Sequence, residues 1–373
     1  MNSYEYADIG GRYFYLQSNP AALAWRLYSR GKPFGFRNKG VLASYYDARR
    51  VLSLLKALRR ERRGQGNKPV IELEVRGDLC LPVHNGYKVF DLRRKTTVKL
   101  FSPEIDLDTV RSEVERVQDV GRHSFAPSVR RYSIEDRWYE EDFINGYPAR
   151  FSSWDAFPEA FRSHLAPMVR DMILATAPKP VNALEYVRAK QAVLEVEGGK
   201  LGDRRLDAAR VEAIRNFTGA VTEQLRADGE RRVCLVFSHG DFSPKHVLVT
   251  ASGGVAVDWE TFGYRSALFD LYNAFFQQLW LRHEAPDIVA QMGKAIAVLQ
   301  SQLARSSELS QTLSLAKFYR RIYYIERVCR IVEVQEMNDP MLDNILRWID
   351  AFNRYEDMAA EAPIDNSHQE TAE

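Results

Sequence analysis

The sequence is poor in cysteine and has no long apolar run. Three of its 373 residues are cysteine, and they lie far apart without the paired spacing of a zinc site: Cys80, Cys234 and Cys329. An odd count in mostly apolar surroundings favours reduced thiols in a cytoplasmic compartment. No stretch approaches the roughly 18 apolar residues that a membrane-spanning helix needs, and the N-terminus lacks the apolar region of a signal peptide. We therefore expect a cytoplasmic protein that does not cross a membrane.

Neither sign of charge dominates, because 52 Lys and Arg face 50 Asp and Glu, for a formal net charge of +2. The distribution is uneven, however. From Arg26 to Lys68 thirteen residues are basic and two are acidic, whereas Glu356 to Glu373 contains no Lys or Arg. Such a basic block can contact an anionic membrane surface, which would place the protein peripherally at the inner membrane face; a solvated surface is the alternative. No nucleic-acid-binding motif accompanies the block, which disfavours nucleic acid as a partner.

The basic block contains an amphipathic helix. Apolar residues recur there at near-helical spacing, basic residues occupy mostly the other faces, and Gly64 to Asn67 end the pattern. We expect the apolar stripe to pack on the lobe that follows, with an interfacial membrane helix as the alternative. The stripe consists of Leu42, Tyr45, Tyr46, Leu52, Leu55 and Leu58.

The stretch from Val236 to Glu260 carries the strongest signal for chemistry. An apolar run precedes His239, and two further apolar runs flank a Ser-Gly-Gly turn, which predicts a strand followed by a β-hairpin. Asp241 and Asp258 would then each lie beside the end of a strand. Two carboxylates held in this way suit phosphoryl transfer, in which one orients the attacking hydroxyl and the other holds the metal on the phosphates.

These residues resemble the catalytic core of the kinase-like small-molecule phosphotransferases, the aminoglycoside phosphotransferase and choline kinase group. The family pattern is H-G-D-x-x-x-x-N followed by I-D-W/F-E, and the chain has His239-Gly240-Asp241 followed by Val257-Asp258-Trp259-Glu260. The resemblance implies that Asp241 is the catalytic base and Asp258 the magnesium ligand. The chain departs from the pattern at His246, which stands where the family has a metal-binding Asn. In having a His at this place, the chain resembles the lipopolysaccharide core sugar kinases.

Residues 69–102 alternate in polarity and are typical of β-structure, with a tight turn at Asn85-Gly86. The resemblance implies that Lys99, on the strand Thr96–Phe101, holds the phosphates, although an edge-strand lysine is the alternative. A helix from Asp106 to Val120 should follow, with Val110, Val114 and Val117 on one face. The resemblance makes Glu113 the partner of Lys99, with Glu115 as the second choice, and places Asn85 and Gly86 among the nucleotide-binding residues.

The segment from Trp138 to Gly146 resembles the family's linker between lobes. By that resemblance, the backbone of Glu141, Asp142 and Ile144 would face the adenine of ATP. Beyond Pro148 the chain has mainly helical periodicity. One Tyr-rich helix carries four arginines, which would either line an acceptor site for an anionic molecule or form an exposed face: Arg320, Arg321, Arg327 and Arg330.

The resemblance predicts an α+β, protein-kinase-like fold with a small β-rich N-lobe and a large, mainly helical C-lobe. The predicted organisation is a basic helical extension at 1–68, a nucleotide-binding lobe at 69–145, a catalytic and acceptor lobe at 146–358 and an acidic disordered tail at 359–373. We expect an ATP-dependent kinase that phosphorylates a hydroxyl of a small molecule or sugar, a lipid-linked glycan being one option. The H-R-D-L-K, D-F-G and A-P-E motifs of protein kinases are missing.

In this reading ATP and Mg²⁺ are the cofactors, with Mn²⁺ as an alternative metal. Asp258 and His246 are the metal ligands, and Lys245 stabilises charge at the γ-phosphate. The alternative is a pseudokinase that binds nucleotide or a partner protein without catalysis. The replacement of Asn by His246 and the missing G-x-G-x-x-G loop favour that alternative.

Overall fold

The computed structural model describes residues 3–36, 41–149, 157–176, 179–200, 207–281, 287–303, 314–334 and 339–361. The chain divides into two compact units. Unit 1 comprises Met1–Arg150 and Pro244–Phe262, and unit 2 comprises Phe151–Ser243 and Gly263–Glu373.

Unit 1 is built on an eight-stranded antiparallel sheet in the order β3-β1-β2-β4-β5-β6-β8-β7. Its strands are β1 (Tyr4–Asp8), β2 (Tyr13–Tyr15), β3 (Val70–Leu73), β4 (Leu79–Val83), β5 (Gly86–Asp91), β6 (Thr96–Phe101), β7 (Val129–Ser133) and β8 (Trp138–Asp142). The turn between β4 and β5 requires glycine, because Gly86 has φ +142° and a Cβ there would lie 2.0 Å from the carbonyl oxygen of Leu100.

Three helices accompany the sheet: α1 (Pro20–Arg30), α2 (Val41–Arg62) and α3 (Leu107–Val120). Leu54 and Leu58 of α2 are buried in a core cluster with Leu23 and Leu27 of α1 and Phe14 of β2. The helix α3 begins where the sequence predicts, because the side chain of Asp106 caps it by accepting a hydrogen bond from the backbone N–H of Thr109 at 2.8 Å. Its face of Val110, Val114 and Val117 is buried, as expected.

A small second sheet in unit 1 has the order β13-β12-β9. Its strands are β9 (Tyr147–Pro148), β12 (Val247–Thr250) and β13 (Gly253–Ala256), and β12 and β13 form the predicted hairpin. The register pairs Val247 with Ala256, so the residues just outside the hairpin are His246 and Val257, followed by Asp258.

Unit 2 is mainly helical. Its helices are α4 (Phe157–Ala160), α5 (Ala166–Ala175), α6 (Ala183–Lys200), α7 (Ala208–Ala227), α8 (Phe269–Leu281), α9 (Ile288–Leu303), α10 (Ala316–Val334) and α11 (Asp339–Glu361). A turn of π-helix, Phe161–Leu165, joins α4 to α5. A three-stranded sheet has β11 (Arg232–Ser238) between β10 (Lys179–Asn182) and β14 (Gly263–Ser266). Most of α8 is buried, and aromatic rings of α8, α10 and α11 pack together around Phe276, Tyr324 and Phe352.

The α+β class is confirmed, since one unit is rich in sheet and the other in helix. Two features differ from the expected organisation. The segment 1–68 is not purely helical, because β1 and β2 pair with β3 and β4 and extend the sheet. The hairpin Pro244–Phe262, expected in the helical lobe, groups with unit 1. Of the expected acidic tail at 359–373, residues 362–373 lie outside the described part of the chain. Over the described residues, the helices are too short or too polar to span a membrane.

Candidate active site

The predicted ion pair between Lys99 and Glu113 is present in unit 1. The Nζ atom of Lys99 lies 2.9 Å from Oε1 of Glu113, and both side chains are buried. The pair is possible because Lys99 is on β6 while Glu113 is on the buried face of α3. The second choice, Glu115, is exposed. Lys99 also donates to Oε1 of Glu260 at 2.7 Å, so a carboxylate on each side holds its ammonium group.

A second lysine, which the sequence analysis does not single out, belongs to the same cluster. Lys88 pairs in register with Lys99 across β5 and β6, so both side chains lie on one face of the sheet. The Nζ atom of Lys88 lies 2.5 Å from Oδ1 of Asp258 and 3.7 Å from Oε1 of Glu260. A continuous chain of ion pairs therefore runs from Glu113 through Lys99, Glu260 and Lys88 to Asp258.

Two groups in this series of ion pairs, Lys88 and Glu260, have pKa values that their charged neighbours shift. Burial lowers the pKa of Lys88, but Asp258, Tyr139, Glu141 and Glu260 together outweigh it, so the pKa of Lys88 lies well above its usual value. Burial raises the pKa of Glu260, yet Lys88 and Lys99 together bring it below the usual value for a glutamate. Lys88 and Glu260 are therefore charged at neutral pH, so the cluster carries charge of both signs.

A cavity of about 260 Å³ opens beside this cluster within unit 1. Its lining includes Lys88 and five residues predicted from the sequence: Lys245, Asp258, Glu141, Asp142 and Ile144. Its apolar lining includes Phe34, Phe90 and Phe143, and the rings of Phe34 and Phe143 are stacked with centroids 6.0 Å apart. A cavity with an apolar wall and convergent charged groups is typical of a small-molecule site.

Four of the predicted nucleotide-binding residues do not line the cavity: Asn85, Gly86, Lys99 and Glu113. Asn85 and Gly86 form the turn between β4 and β5, next to Val83, which does line it. Glu141, in contrast, does line the cavity. Burial raises the pKa of Glu141 to about 7, although Lys88 lowers it. The linker pattern predicts only backbone contacts with the nucleotide, so it gives no signal for the side chain of Glu141.

The hairpin presents Asp258 in an unusual backbone conformation. Asp258 has φ +66° and ψ +56°, a left-handed conformation that Asp tolerates better than most residues. Residues in sparsely populated backbone regions cluster at functional sites. His246 lies near it in the fold, since the N–H of Val257 donates to the carbonyl oxygen of His246 at 2.9 Å.

The donor set suits a hard divalent cation that binds mainly through its substrate. Among the described residues, no group of three or more His, Cys, Asp and Glu side chains could hold a metal by itself. Mg²⁺ is usually held by one or two carboxylates together with substrate phosphates and water, and Asp258 keeps nearly half of its side chain exposed to solvent. Asp258 has the oxygen donors and the solvent access that a magnesium ion held jointly with phosphate and water requires.

In unit 2, two side chains of helix α8 hold the backbone of the loop that contains Asp241. Asp270 accepts hydrogen bonds from the backbone N–H groups of His239 at 2.8 Å and Gly240 at 3.1 Å. Asn273 donates to the carbonyl oxygen of Phe242 at 2.9 Å. Burial raises the pKa of Asp270 to about 6, although the two backbone donors lower it. The side chains of Asp270 and Asn273 thus fix the backbone on both sides of Asp241.

The chain passes from the buried strand β11 into this fixed loop and then into the hairpin that carries Asp258. Residues 174–300 match the phosphotransferase enzyme family. The match covers β11, the Asp241 loop, the hairpin and Asp270. Lys88, Lys99 and Glu113 lie outside the part that matches this phosphotransferase family.

Solved structures of small-molecule kinases are similar to the chain. Ethanolamine kinase of Plasmodium vivax is 13% identical with a TM-score of 0.48, and the alignment covers 90% of this chain and 94% of that one. Choline kinase of Cryptosporidium parvum is 13% identical with a TM-score of 0.49, covering 78% and 89%. An aminoglycoside phosphotransferase of Alicyclobacillus acidocaldarius is 15% identical with a TM-score of 0.44, covering 80% and 96%. Among curated proteins, none matches the sequence.

Proposed function

We propose that this protein is an ATP-dependent phosphotransferase that moves the γ-phosphate to a hydroxyl group of a small molecule or sugar. The observation that carries the proposal is the chain of ion pairs from Glu113 to Asp258, which ends at an apolar cavity in unit 1. A phosphotransferase family match over the Asp241 loop supports it.

The nucleotide would occupy the cavity. The stacked rings of Phe34 and Phe143 offer faces for the adenine, and the backbone from Glu141 to Ile144 offers hydrogen bonds to its edge. The sequence pattern points to Lys99 as the lysine that holds the phosphates, but Lys88 and Lys99 differ in their access to the cavity. Lys99 is completely buried between two carboxylates, whereas Lys88 lines the cavity. We therefore assign direct phosphate contact to Lys88 and a positioning role to Lys99, which holds Glu260 in place.

Asp258 and His246 would hold the divalent ion, which supplies charge neutralisation at the β- and γ-phosphates. With nucleotide in the cavity, Lys88 would exchange its contact with Asp258 for a contact with a phosphate oxygen. Lys88 would keep a negatively charged partner through the exchange. The carboxylate of Asp258 would become available as a ligand for the divalent ion.

Asp241 would orient the acceptor hydroxyl and take its proton. The hydroxyl oxygen forms a bond to the γ-phosphorus, and the bond from that phosphorus to the β–γ bridging oxygen breaks, with the electron pair remaining on ADP. The hydrogen bonds from His239 and Gly240 to Asp270 keep the loop rigid, and positioned groups lower the barrier by avoiding reorganisation. Lys245 lines the cavity and would offset charge that develops on the γ-phosphate.

The proposal includes an anionic membrane surface as the place of reaction and a lipid-linked glycan as one acceptor. Tyr45, Tyr46 and Leu52 of α2 are more than half exposed, and Arg49, Lys56 and Arg59 are exposed on the same helix. Exposed aromatic and basic residues on one helix are typical of segments that lie at a membrane interface.

One observation favours the pseudokinase alternative. The carboxylate proposed to bind metal is already paired with Lys88 at 2.5 Å, and such a pair could serve only to close the cavity. The two functions differ in ATP turnover.

ATP consumption should be measured with Mg²⁺, with Mn²⁺ and without metal, across a panel of sugars, amino alcohols and polyols. The proposal predicts metal-dependent turnover that at least one acceptor stimulates. Binding of ATP without turnover under every condition would instead support the pseudokinase.

A further inference from the structure

Helix α10 in unit 2 carries four arginines, and two of them are paired with carboxylates. Arg320 makes a two-point contact with Glu356, with Nε 2.9 Å from Oε1 and Nη2 3.0 Å from Oε2. Arg321 donates from Nη1 to Oδ2 of Asp228 at 2.7 Å. These two arginines have the partners expected of charged residues in a structural role.

The other two arginines have no such partner. Within the described ranges, Arg327 and Arg330 form no ion pair within 4 Å, and the Nε atom of each is buried without a hydrogen bond. The side chain of Arg330 is only 8% exposed, and the guanidinium of Arg327 lies 4.1 Å above the ring of Trp348. Three residues apart on one helix, the two side chains share a face.

Further positive charge and the proposed catalytic carboxylate lie close to this pair. Arg265 of β14 is also 8% exposed, and it repels both guanidinium groups. Burial lowers the pKa of Arg327, with Tyr323 and Asp241 opposing that shift. Burial and then Arg265 lower the pKa of Arg330 to about 10. Asp241 therefore lies within electrostatic range of both arginines.

Nearby carboxylates are engaged by other groups. Glu326 accepts hydrogen bonds from the N–H and the hydroxyl of Ser266 and from the hydroxyl of Tyr186. Glu333 is paired with Lys190 at 2.9 Å. A buried guanidinium without a counterion is strongly unfavourable, and its fork of donors matches phosphate and carboxylate oxygens. Arg327 and Arg330 thus form a built site that an oxyanion would complete.

We propose that Arg327 and Arg330 bind a phosphate or carboxylate group of the acceptor, so that the substrate is an anionic sugar or polyol rather than a neutral or cationic alcohol. The inference rests on the proposed function, since it treats Asp241 as the group that orients the acceptor hydroxyl. The anionic group would anchor the acceptor at α10 and leave its free hydroxyl at Asp241.

The binding test uses glucose 6-phosphate and glucuronate as anionic probes, with glucose and choline as neutral and cationic counterparts. Dissociation constants are measured by calorimetry at constant ionic strength. Excess ADP is present to fill the nucleotide site, so that the phosphate group of a probe does not bind there. The wild type should bind at least one anionic probe more tightly than glucose or choline. Arg327→Gln and Arg330→Gln should each weaken that binding by about 10- to 100-fold, the range expected for lost hydrogen bonds to a charged group. Arg321→Gln, on the same helix, is the control and should retain it.

The variants should fold, because each removes a buried charge that lacks a counterion. Their thermal unfolding temperatures should equal or exceed that of the wild type, and Arg330→Lys provides a second variant that keeps the charge. Equal affinity for glucose and both anions in the wild type, or equal anion affinity in wild type and Arg330→Gln, would overturn the inference.

A second measurement separates this inference from the proposed function. Stimulation of ATP turnover by the anionic acceptor should be lost in Arg330→Gln. The control Arg321→Gln should retain both this stimulation and acceptor-independent ATP hydrolysis, in which water replaces the acceptor. Turnover that choline or glucose stimulates more than the anions do contradicts the inference and leaves the phosphotransferase intact. Anion binding that depends on Arg330 in a protein without any ATP turnover supports the anion site and contradicts the proposed reaction.

Discussion

Lys88 and Lys99 lie opposite each other on β5 and β6, and the two like charges are stable there because three carboxylates surround them. The pattern V-K-L-F and the resemblance suffice to predict Lys99. Lys88 could be found only from the pairing register, because a lysine in a strand is by itself typical of an exposed position. Its burial follows from Asp258 and Glu260, which lie about 170 residues further along the chain and cannot be placed by local sequence patterns.

Replacing Lys88 tests the assignment of the phosphate contact. Lys88→Met should raise the KM for ATP by about 10-fold or more, since a charge-assisted hydrogen bond contributes roughly 1.5–3 kcal/mol. The exposed Lys68→Met is a matched control and should leave KM unchanged. Steady-state kinetics on both variants make the comparison, and an unaltered KM in Lys88→Met would assign the contact to another residue.

Glu141 gives the protein a pH-dependent stability. Its pKa in the folded state is about 7, against 4.5 for the unfolded chain, so the folded state binds the extra proton between these values. Stability should therefore fall as pH rises from about 4.5 to 7. Glu141→Gln should flatten this slope and stabilise the protein at pH 8 by about 1–3 kcal/mol. Urea unfolding of both proteins at several pH values is the measurement, and parallel profiles would show that Glu141 is not the group responsible.

His246 should affect which metal the protein uses. Imidazole suits Mn²⁺ better, relative to Mg²⁺, than an amide oxygen does. His246→Asn should therefore lower the ratio of Mn²⁺-supported to Mg²⁺-supported turnover while keeping activity. If His246→Ala leaves both rates and their ratio at wild-type values, His246 packs beside the site and does not ligate metal.

Among the secondary-structure elements, the best predicted ones combine a periodic apolar pattern with a residue signal that marks where the element begins or ends. Helix α3 combines the cap Asp106 with a valine stripe, and the β12–β13 hairpin combines apolar runs with a glycine turn; both lie where expected. Strands β1 and β2 were missed, because they are short and are stabilised by partners more than sixty residues away.

The stripe of α2 was predicted only in part. Leu58 is buried, as expected, but Tyr45, Tyr46 and Leu52 are exposed. The buried face is centred instead on Asp47, Leu54 and Leu58, which recur at intervals of seven and four residues and so align along one side of a helix. Composition alone cannot choose between two neighbouring apolar stripes on one helix.

The exposed face of α2 should bind anionic vesicles. Co-sedimentation should decrease as salt rises, because exposed charges are screened over about 8 Å at physiological ionic strength. Tyr45→Ser combined with Tyr46→Ser should weaken binding. Leu174→Ser, an exposed apolar residue of α5 in unit 2, should not. Equal binding to neutral and anionic vesicles, or none to either, would argue against a membrane role.

For the whole molecule, one stretch of sequence places a proposed functional carboxylate in each of the two units. Asp241 belongs to unit 2 and Asp258 to unit 1, and the boundary falls between Ser243 and Pro244. The two-motif pattern predicts both carboxylates from sequence because each follows a recognisable strand. Arg327 and Arg330 were noticed only as part of a basic helix, since nothing local distinguishes them from Arg320 and Arg321, which are paired.

The most direct test of the account compares catalysis and binding in Asp241→Asn. The substitution preserves size while removing the base, and the loop remains held by Asp270 and Asn273. Acceptor-stimulated ATP turnover should fall by about 10²- to 10⁴-fold, the usual contribution of a positioned general base. Calorimetric affinity for magnesium and ATP should stay close to the wild-type value. Undiminished turnover in Asp241→Asn would contradict the account, because the phosphate would then be transferred without the carboxylate on which it depends.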